Sequence, residues 1–234
     1  NLQEALVGST EGKDFFAHYI EAYGYYDLFL IHPEGKVFYT VTREADYGTN
    51  MVDGRYRDSG LGEVTRRVLR TGEYGFADFA PYAPSDGDPA AFIAQPYVRH
   101  GETQLVVALQ LSLEAINRIM QQRDGMGETG EAYLVGSDKR MRSDSFLDPE
   151  GHSVEASFAG TVAVNGVDTE ASRQALAGET DTRVITDYNG NPVLSAYTPV
   201  SVGDTTWALM AEIDQAEVMA PVNTLVRNVA VVGV

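Results

Sequence analysis

YDLFLIHPEGKVFYTV, residues Tyr26–Val41, reads as a strand, a turn and a second strand. Tyr26–Ile31 is an apolar run, Pro33-Glu34-Gly35 carries hairpin turn chemistry, and Lys36–Val41 resumes the strand. Downstream come a helix-like EVTRRVLRTGE from Glu63 and three strand-like runs: FADFAPY from Phe76, AAFIAQPYVRHGE from Ala90 and TQLVVALQL from Thr103. The same order then returns. EAYLVGSDKRMRSDS from Glu131 is again strand–turn–strand, EASRQALAGE from Glu170 is the helix, and VITDYNGNPVLSAYTPVSVGDTTWALMAEI from Val184 supplies the last strands. Shared landmarks are E-x-x-R before a helix end and Gly-Glu, an Asp before an aromatic, and a strand ending in Pro-Tyr-Val or Pro-Val. A repeat of roughly a hundred residues is a domain duplication, since solenoid periods are about 20–50 residues. The expected fold class is α+β, with a long N-terminal helix and two antiparallel sheets.

The chain has 234 residues, 44% hydrophobic and 22% charged, ordinary globular material with room for one large or two small domains. Its net charge is −17, with 17 Lys+Arg against 34 Asp+Glu. That balance argues against a nucleic-acid partner, whose phosphates need clustered cations. There is no cysteine, which removes disulfides, thiolate catalysis and cysteine metal sites. The sequence opens at Asn1 with no initiator Met and no apolar signal segment, so an excised fragment or processed product is expected. It closes on LVRNVAVVGV, Leu225–Val234. Two readings of that tail stand: the first turns of a spanning helix cut short, or an apolar helix docked on the domain. A full span needs about 20 apolar residues.

Residues 1–24 read as helix, because Phe15, Phe16, Tyr19, Ile20 and Tyr23 recur at spacings of three and four, with Gly24 as a stop. From Thr42 to Ser59 the period fails. TREADYGTNMVDGRYRDS is longer than most structureless connections, and its tyrosines and Met51 mark it as an ordered lid. Leu61–Leu69 is a short amphipathic helix, Leu113–Arg123 another, and Asp124–Gly130 (DGMGETG) the best domain boundary. In the second half, alternation over Ser153–Val167 suggests an irregular strand, Asp187–Pro192 a tight turn, and Ile213–Val226 a final helix.

Three polar residues sit in strands that should be apolar: Asp78, Gln95 and Gln110. Buried polar groups need partners. Two readings are open: walls of one concave polar pocket, or loop caps and bonds to the helix behind the sheet. Catalytic patterns are missing. His18, His32, His100 and His152 are scattered with no i,i+4 pair, so no metal site is expected. G-x-S-x-G, Walker and G-x-G-x-x-G patterns do not occur, so neither catalytic residues nor a cofactor is expected.

Taken in order, YDLFLIHPEGKVFYT, the long loop, FADFAPY, DPAAFIAQPYV, QLVVALQLSLEAINRIM and GETGEAYLVGSDKRMRSDS resemble a double Cache (tandem PAS-like) sensor domain. Such domains form the extracytoplasmic halves of bacterial chemoreceptors and transmembrane histidine kinases. The resemblance implies an N-terminal helix (1–24), a membrane-distal ligand-binding module (25–123), a membrane-proximal module (124–226) and the start of a transmembrane helix (227–234). It places a ligand-contacting aspartate at Asp78, receiving an ammonium group through charge-assisted hydrogen bonds. Arg55 or Arg57 would hold a carboxylate bidentately, and Tyr56 and Tyr82 would wall the cavity with Gln95 and Gln110. The amino-acid-sensing subset carries a Tyr, an Arg and a Trp-Tyr pair, whereas GRYRDSGLGEV has Tyr56 and Arg57 but no Trp. Asp187 is the second module's counterpart of Asp78, but it opens an Asn-Gly turn and is read as a turn cap.

The expected function is small-molecule sensing, with an amino acid, amine or small carboxylate as ligand. The domain would lie outside the cytoplasmic membrane, in a homodimeric receptor held by flanking transmembrane helices and signalling by helix displacement. The alternatives are a histidine kinase or cyclic-dinucleotide enzyme with the same external domain, or a periplasmic binding protein or enzyme without a signalling role.

Overall fold

The computed structural model describes residues 10–232, with side chains described from 15 to 227. The chain divides into two units, Asn1–Ala115 and Ile116–Val234. The division falls inside helix α3 (Leu113–Met120), ahead of the Gly-rich segment at Asp124–Gly130. Residues 1–9 of the expected N-terminal helix, and the last residues of the tail, lie outside the described residues.

The first unit holds α1 (Thr10–Tyr23), β1 (Tyr25–Ile31), β2 (Val37–Thr40), α2 (Gly60–Thr71), β3 (Gly75–Pro81), β4 (Pro89–Arg99) and β5 (Glu102–Leu111). Its strands form one antiparallel sheet in the order β2-β1-β5-β4-β3. Both faces are covered, which is why β1 is a continuous apolar run and not an alternating one. Phe29 and Ile31 face α2 and the lid, with Val106, Ala108, Phe92 and Ala94. Leu28 and Leu30 face α1, with Ile20, Leu105 and Leu109 and the rings of Phe16 and Tyr19.

Helix α2 lies on the lid face. Leu61, Val64, Thr65 and Val68 are buried at helical spacing. The Ser59 side chain caps its start by accepting from Gly62 N, and Gly72 ends it at φ 71 with its N–H on Val68 O. Gly62 leaves no room for a side chain. A Cβ there would stand 2.3 Å from the Arg57 carbonyl and 2.7 Å from that of Tyr56, both backbone. Gly62→Ala is therefore expected to lever the lid off the helix start and cost between about 1 and 2 kcal/mol, a modest overpacking penalty. Urea denaturation reads it; an unchanged midpoint would mean the contact relaxes freely.

The second unit holds β6 (Glu131–Val135), α4 (Val154–Ala159), α5 (Val162–Asn165), α6 (Glu170–Leu176), β7 (Asp181–Thr186), β8 (Pro192–Val202), β9 (Thr205–Asp214) and α7 (Gln215–Val232). Its sheet runs β6-β9-β8-β7, all antiparallel. Two expectations fail here. The strand–turn–strand reading of EAYLVGSDKRMRSDS holds only for its first strand, because the return arm makes a single bridge, Val135 to Met141. Leu134 N–H donates to the Ser143 hydroxyl at 2.9 Å, so a side chain stands where a strand carbonyl should. The irregular strand over Ser153–Val167 is instead the two short helices α4 and α5. Ser153 caps α4 by accepting from Ala156 N, and the buried Val154 and Ser157 follow helical spacing, which outweighs the apparent alternation.

The segment Asp124–Gly130 is braced. The Arg123 guanidinium donates to Gly130 O (2.7 Å) and Glu128 O (2.7 Å). Glu217, in the first turn of α7, accepts from Glu128 N (2.9 Å), Thr129 N (2.8 Å) and the Thr129 hydroxyl (2.5 Å). These bonds hold the Glu217 carboxyl below the usual range. No helix among the described residues is long and apolar enough to cross a membrane.

Candidate functional site

The candidate site is the polar interior of the first unit, between its sheet and the lid. The lid is packed: Met51 is wholly buried, and Tyr56 is nearly so. Arg66, on α2, donates to the backbone carbonyls of Met51 (3.4 Å) and Arg57, holding the lid's second half on the helix.

At the centre is a row across three strands. Asp27 on β1 pairs with Gln110 on β5, and Gln110 with Phe92 on β4. All three side chains are buried. Asp27 Oδ1 accepts from Leu28 N (2.7 Å), Val41 N (2.9 Å) and Thr42 N (3.2 Å), and its Oδ2 from the hydroxyls of Thr40 and Thr42 (2.6 Å for Thr42). One carboxylate thus ties β1 to the end of β2 and the start of the lid.

Tyr82 follows β3, wholly buried, its ring edge-on to Phe92 with centroids 4.9 Å apart. Its hydroxyl donates to Asp46 Oδ2 at 2.6 Å. Burial pushes the Asp46 carboxyl up to about 6, and the negative charges of Asp27 and Glu44 push the same way against the Tyr82 hydrogen bond. The same burial and the Asp46 charge drive the Tyr82 phenol far above its ordinary range. Ser85 lies in the turn after Tyr82, donating to Glu44 Oε2 (2.7 Å) and facing Gln110 Nε2 (3.5 Å). Tyr26 donates to Glu44 Oε1 (2.6 Å), and that bond leads in raising its phenol to about 12. Two buried oxygens find no donor among the described residues: Asp46 Oδ1 and Gln110 Oε1.

Of the residues picked from sequence, Tyr82, Gln110 and Tyr56 lie inside this region. Asp78 is half-buried on β3, beside the register slip between Ala77 and Ala80, and accepts from Phe79 N at 2.7 Å. Three placements correct the sequence reading. Gln95 alternates with Ile93 on the α1 face and is exposed, so Asp78, Gln95 and Gln110 do not converge. It borders a hollow of about 340 Å³ with Tyr19, Tyr74, Ile93, Tyr97 and Leu109. Arg57 is exposed beside Asp58 (3.4 Å), and Arg55 is exposed with its guanidinium over the Tyr56 ring (5.1 Å). Neither guanidinium faces the interior because both sit on the outer side of a lid whose inner side is filled by Met51 and Tyr56. Sequence reasoning missed Asp27, Glu44 and Asp46. Asp27 was open to the rule that picked Gln110, a polar residue within an apolar strand.

The second unit repeats the row in a different chemistry. Glu131 on β6 pairs with Glu212 on β9, and Glu212 with Ser195 on β8, all buried. Glu131 accepts from Tyr188, from the Ser145 hydroxyl (2.8 Å) and from Phe146 N (2.9 Å); Glu212 accepts from Tyr133 (2.7 Å) and Ser195 (2.7 Å). Burial raises the Glu212 carboxyl. Asp187 caps its turn, as read, by accepting from Asn189 N (2.9 Å) and Asn191 N (2.7 Å). Among the described residues no group of His, Cys, Asp and Glu is placed to hold a metal ion.

Residues 5–222 match the family described as Cache domain. A probable chemoreceptor, y4sI of Sinorhizobium fredii, is 24% identical over 202 residues, 84% of this chain but only 23% of that protein's length. Among solved structures, the ligand-binding domain of the Pseudomonas aeruginosa amino acid chemoreceptor PctB, in complex with L-Arg, superposes with a TM-score of 0.58 at 18% identity, covering 94% of this chain and 86% of that one. The ligand-binding domain of the Pseudomonas fluorescens chemoreceptor CtaA, in complex with L-leucine, gives 0.55 at 15% identity, covering 92% and 82%. At these identities the structural likeness establishes the fold.

Proposed function

The chain belongs to the Cache domain family, a sensor and not an enzyme, and from that membership we propose that it is the extracytoplasmic ligand-binding region of a bacterial transmembrane chemoreceptor. In this reading residues 25–123 form a membrane-distal PAS-like module that binds the ligand, 124–226 a proximal one, and 227–234 lead into a membrane helix. The observation that carries it is the contrast between the two polar rows. In the first, Gln110 Oε1 in the row and Asp46 Oδ1 in the lid above it are buried acceptors without donors among the described residues, whereas the carboxylates of the second are met by hydroxyls and backbone N–H groups.

The ligand is a small amino acid, amine or carboxylate; the similar chemoreceptor domains were solved with L-Arg and L-leucine. Asp78 contacts the ligand, Tyr82 and Gln110 line the interior, and Tyr56 closes the lid. Binding shifts the population toward a closed lid and moves helices in a dimeric receptor, the effect limited by the ligand's preference for that state. Glu217 supports this step, because it fastens the first turn of α7 to Glu128 and Thr129.

A thermal-shift screen of amino acids, amines and small carboxylates is expected to yield a stabilising ligand, since binding only the native state raises stability by mass action. Asp78→Ala is expected to weaken that ligand at least tenfold with little change in the ligand-free melting temperature. Full affinity in the variant would remove Asp78 from the site.

A further inference from the structure

We propose that the cluster Asp27, Glu44, Asp46 and Gln110 selects an organic ammonium ion that carries no carboxylate, an amine and not an amino acid. The inference rests on the reading of the first unit as the binding unit and narrows its ligand class.

Three observations converge. First, Asp46 Oδ1 and Gln110 Oε1 are buried acceptors with no donor among the described residues, on side chains 0% and 5% exposed. They belong to one connected set. Asp46 holds the Tyr82 hydroxyl, the Tyr82 ring meets Phe92, Phe92 is the strand neighbour of Gln110, and Gln110 reaches Ser85 in the turn after Tyr82. A buried acceptor is stabilised most by a charged donor, and an ammonium offers several.

Second, the charge around these oxygens has one sign. Beyond burial and the Tyr82 hydrogen bond, the charged groups acting on Asp46 are the carboxyls of Asp27 and Glu44. The lid's three arginines are exposed and engaged elsewhere: Arg43 over Tyr47, Arg55 over Tyr56, Arg57 beside Asp58. Arg66 spends its guanidinium on backbone carbonyls. A ligand carboxylate placed here would meet three acids, a like-charge repulsion in a dry interior.

Third, the cation is organic. The acids are not gathered as a metal would need, and no metal-holding group occurs among the described residues. Hard divalent ions take six or more oxygens at about 2.0–2.6 Å. The nearest apolar groups are the rings of Tyr82 and Phe92, packed edge-on to one another, which a stem of methylene groups would meet.

A matched four-carbon series decides the matter by calorimetry on the purified domain: n-butylamine, 1,4-diaminobutane, 4-aminobutanoate and butanoate. The two amines are expected to bind at least tenfold more tightly than 4-aminobutanoate, with butanoate undetectable. Asp46→Asn and Gln110→Met are each expected to weaken the amines at least tenfold; Glu44→Gln, at a half-buried position, serves if either fails to fold. Equal or tighter binding of 4-aminobutanoate, no amine binding, or unaltered amine affinity in the variants would overturn the proposal. An amino acid that binds and is lost in Asp78→Ala would sink the amine selectivity and leave the first unit as the sensor. A ligand indifferent to every one of these variants would remove the first-unit reading itself.

Discussion

Asp27→Ala is expected to cost the first unit about 3 kcal/mol, the price of orphaning several buried donors at once. The carboxylate serves five donors: the hydroxyls of Thr40 and Thr42 and the backbone N–H groups of Leu28, Val41 and Thr42. Some relief is available. Val41 N–H also reaches Leu28 O at 3.3 Å, and the two threonine hydroxyls lie 3.4 Å apart. Among the described residues the Thr42 N–H has no such second partner, and it stands where the lid begins. Asp27→Asn keeps one acceptor oxygen and the volume, so its cost is expected to be about 1 kcal/mol. Circular dichroism in urea reads both. The single tryptophan, Trp207, is buried in β9 of the second unit, so its fluorescence reports on that unit. A loss below about 1 kcal/mol for Asp27→Ala would show that the threonines and the lid backbone re-pair without it.

How far the sequence speaks depends on the range of each signal. YDLFLIHPEGKVFYT is legible because its apolar run and its Pro-Glu-Gly turn are local, and Leu61–Leu69 because its spacing and caps are local too. The row of Gln110 was half legible. Its own polarity within VALQL marks it, but its partnership with Asp27 is a register fact that no single strand contains. Asp46 was not legible at all. It sits in the aperiodic lid, and its hydrogen-bond partner Tyr82 is 36 residues away along the chain. The three polar residues picked together failed as a set for a reason of parity. A strand turns successive side chains to opposite faces, and Gln95 is one residue out of phase with Phe92 and Ala94. In the second unit, Ser153–Val167 alternates in hydropathy yet folds as two helical turns, because Ser153 accepts from Ala156 N and competes with the strand ladder.

The pH dependence of stability turns on Asp46. Its carboxyl lies at about 6 in the folded unit against 3.8 for an unburied aspartate, chiefly through burial. The folded state therefore binds more protons than the unfolded one between about pH 4 and 6, and stability falls as pH rises through that window. One pKa unit corresponds to about 1.4 kcal/mol, so the loss by pH 7 is about 2 kcal/mol after allowance for partial solvent screening. Asp148, Asp168 and Glu217 act with the opposite sign: their lowered carboxyls contribute stability above about pH 4 that is lost on acidification. Glu212 and Asp187 are raised and act with Asp46. The difference between Asp46→Asn and the parent cancels all of these. Asparagine keeps an oxygen for the Tyr82 hydroxyl and carries no charge to bury. The variant is expected to gain about 2 kcal/mol relative to the parent between pH 4 and 7, measured by urea unfolding at each pH. A difference flat in pH would place the Asp46 carboxyl at an ordinary value. The same substitution that stabilises the unit at neutral pH is the one expected to weaken amine binding at least tenfold. A carboxylate kept buried at a cost, where asparagine would be more stable, is what the proposed amine site requires. Proton and amine then compete for one oxygen, and amine affinity should rise with pH as Asp46 ionises.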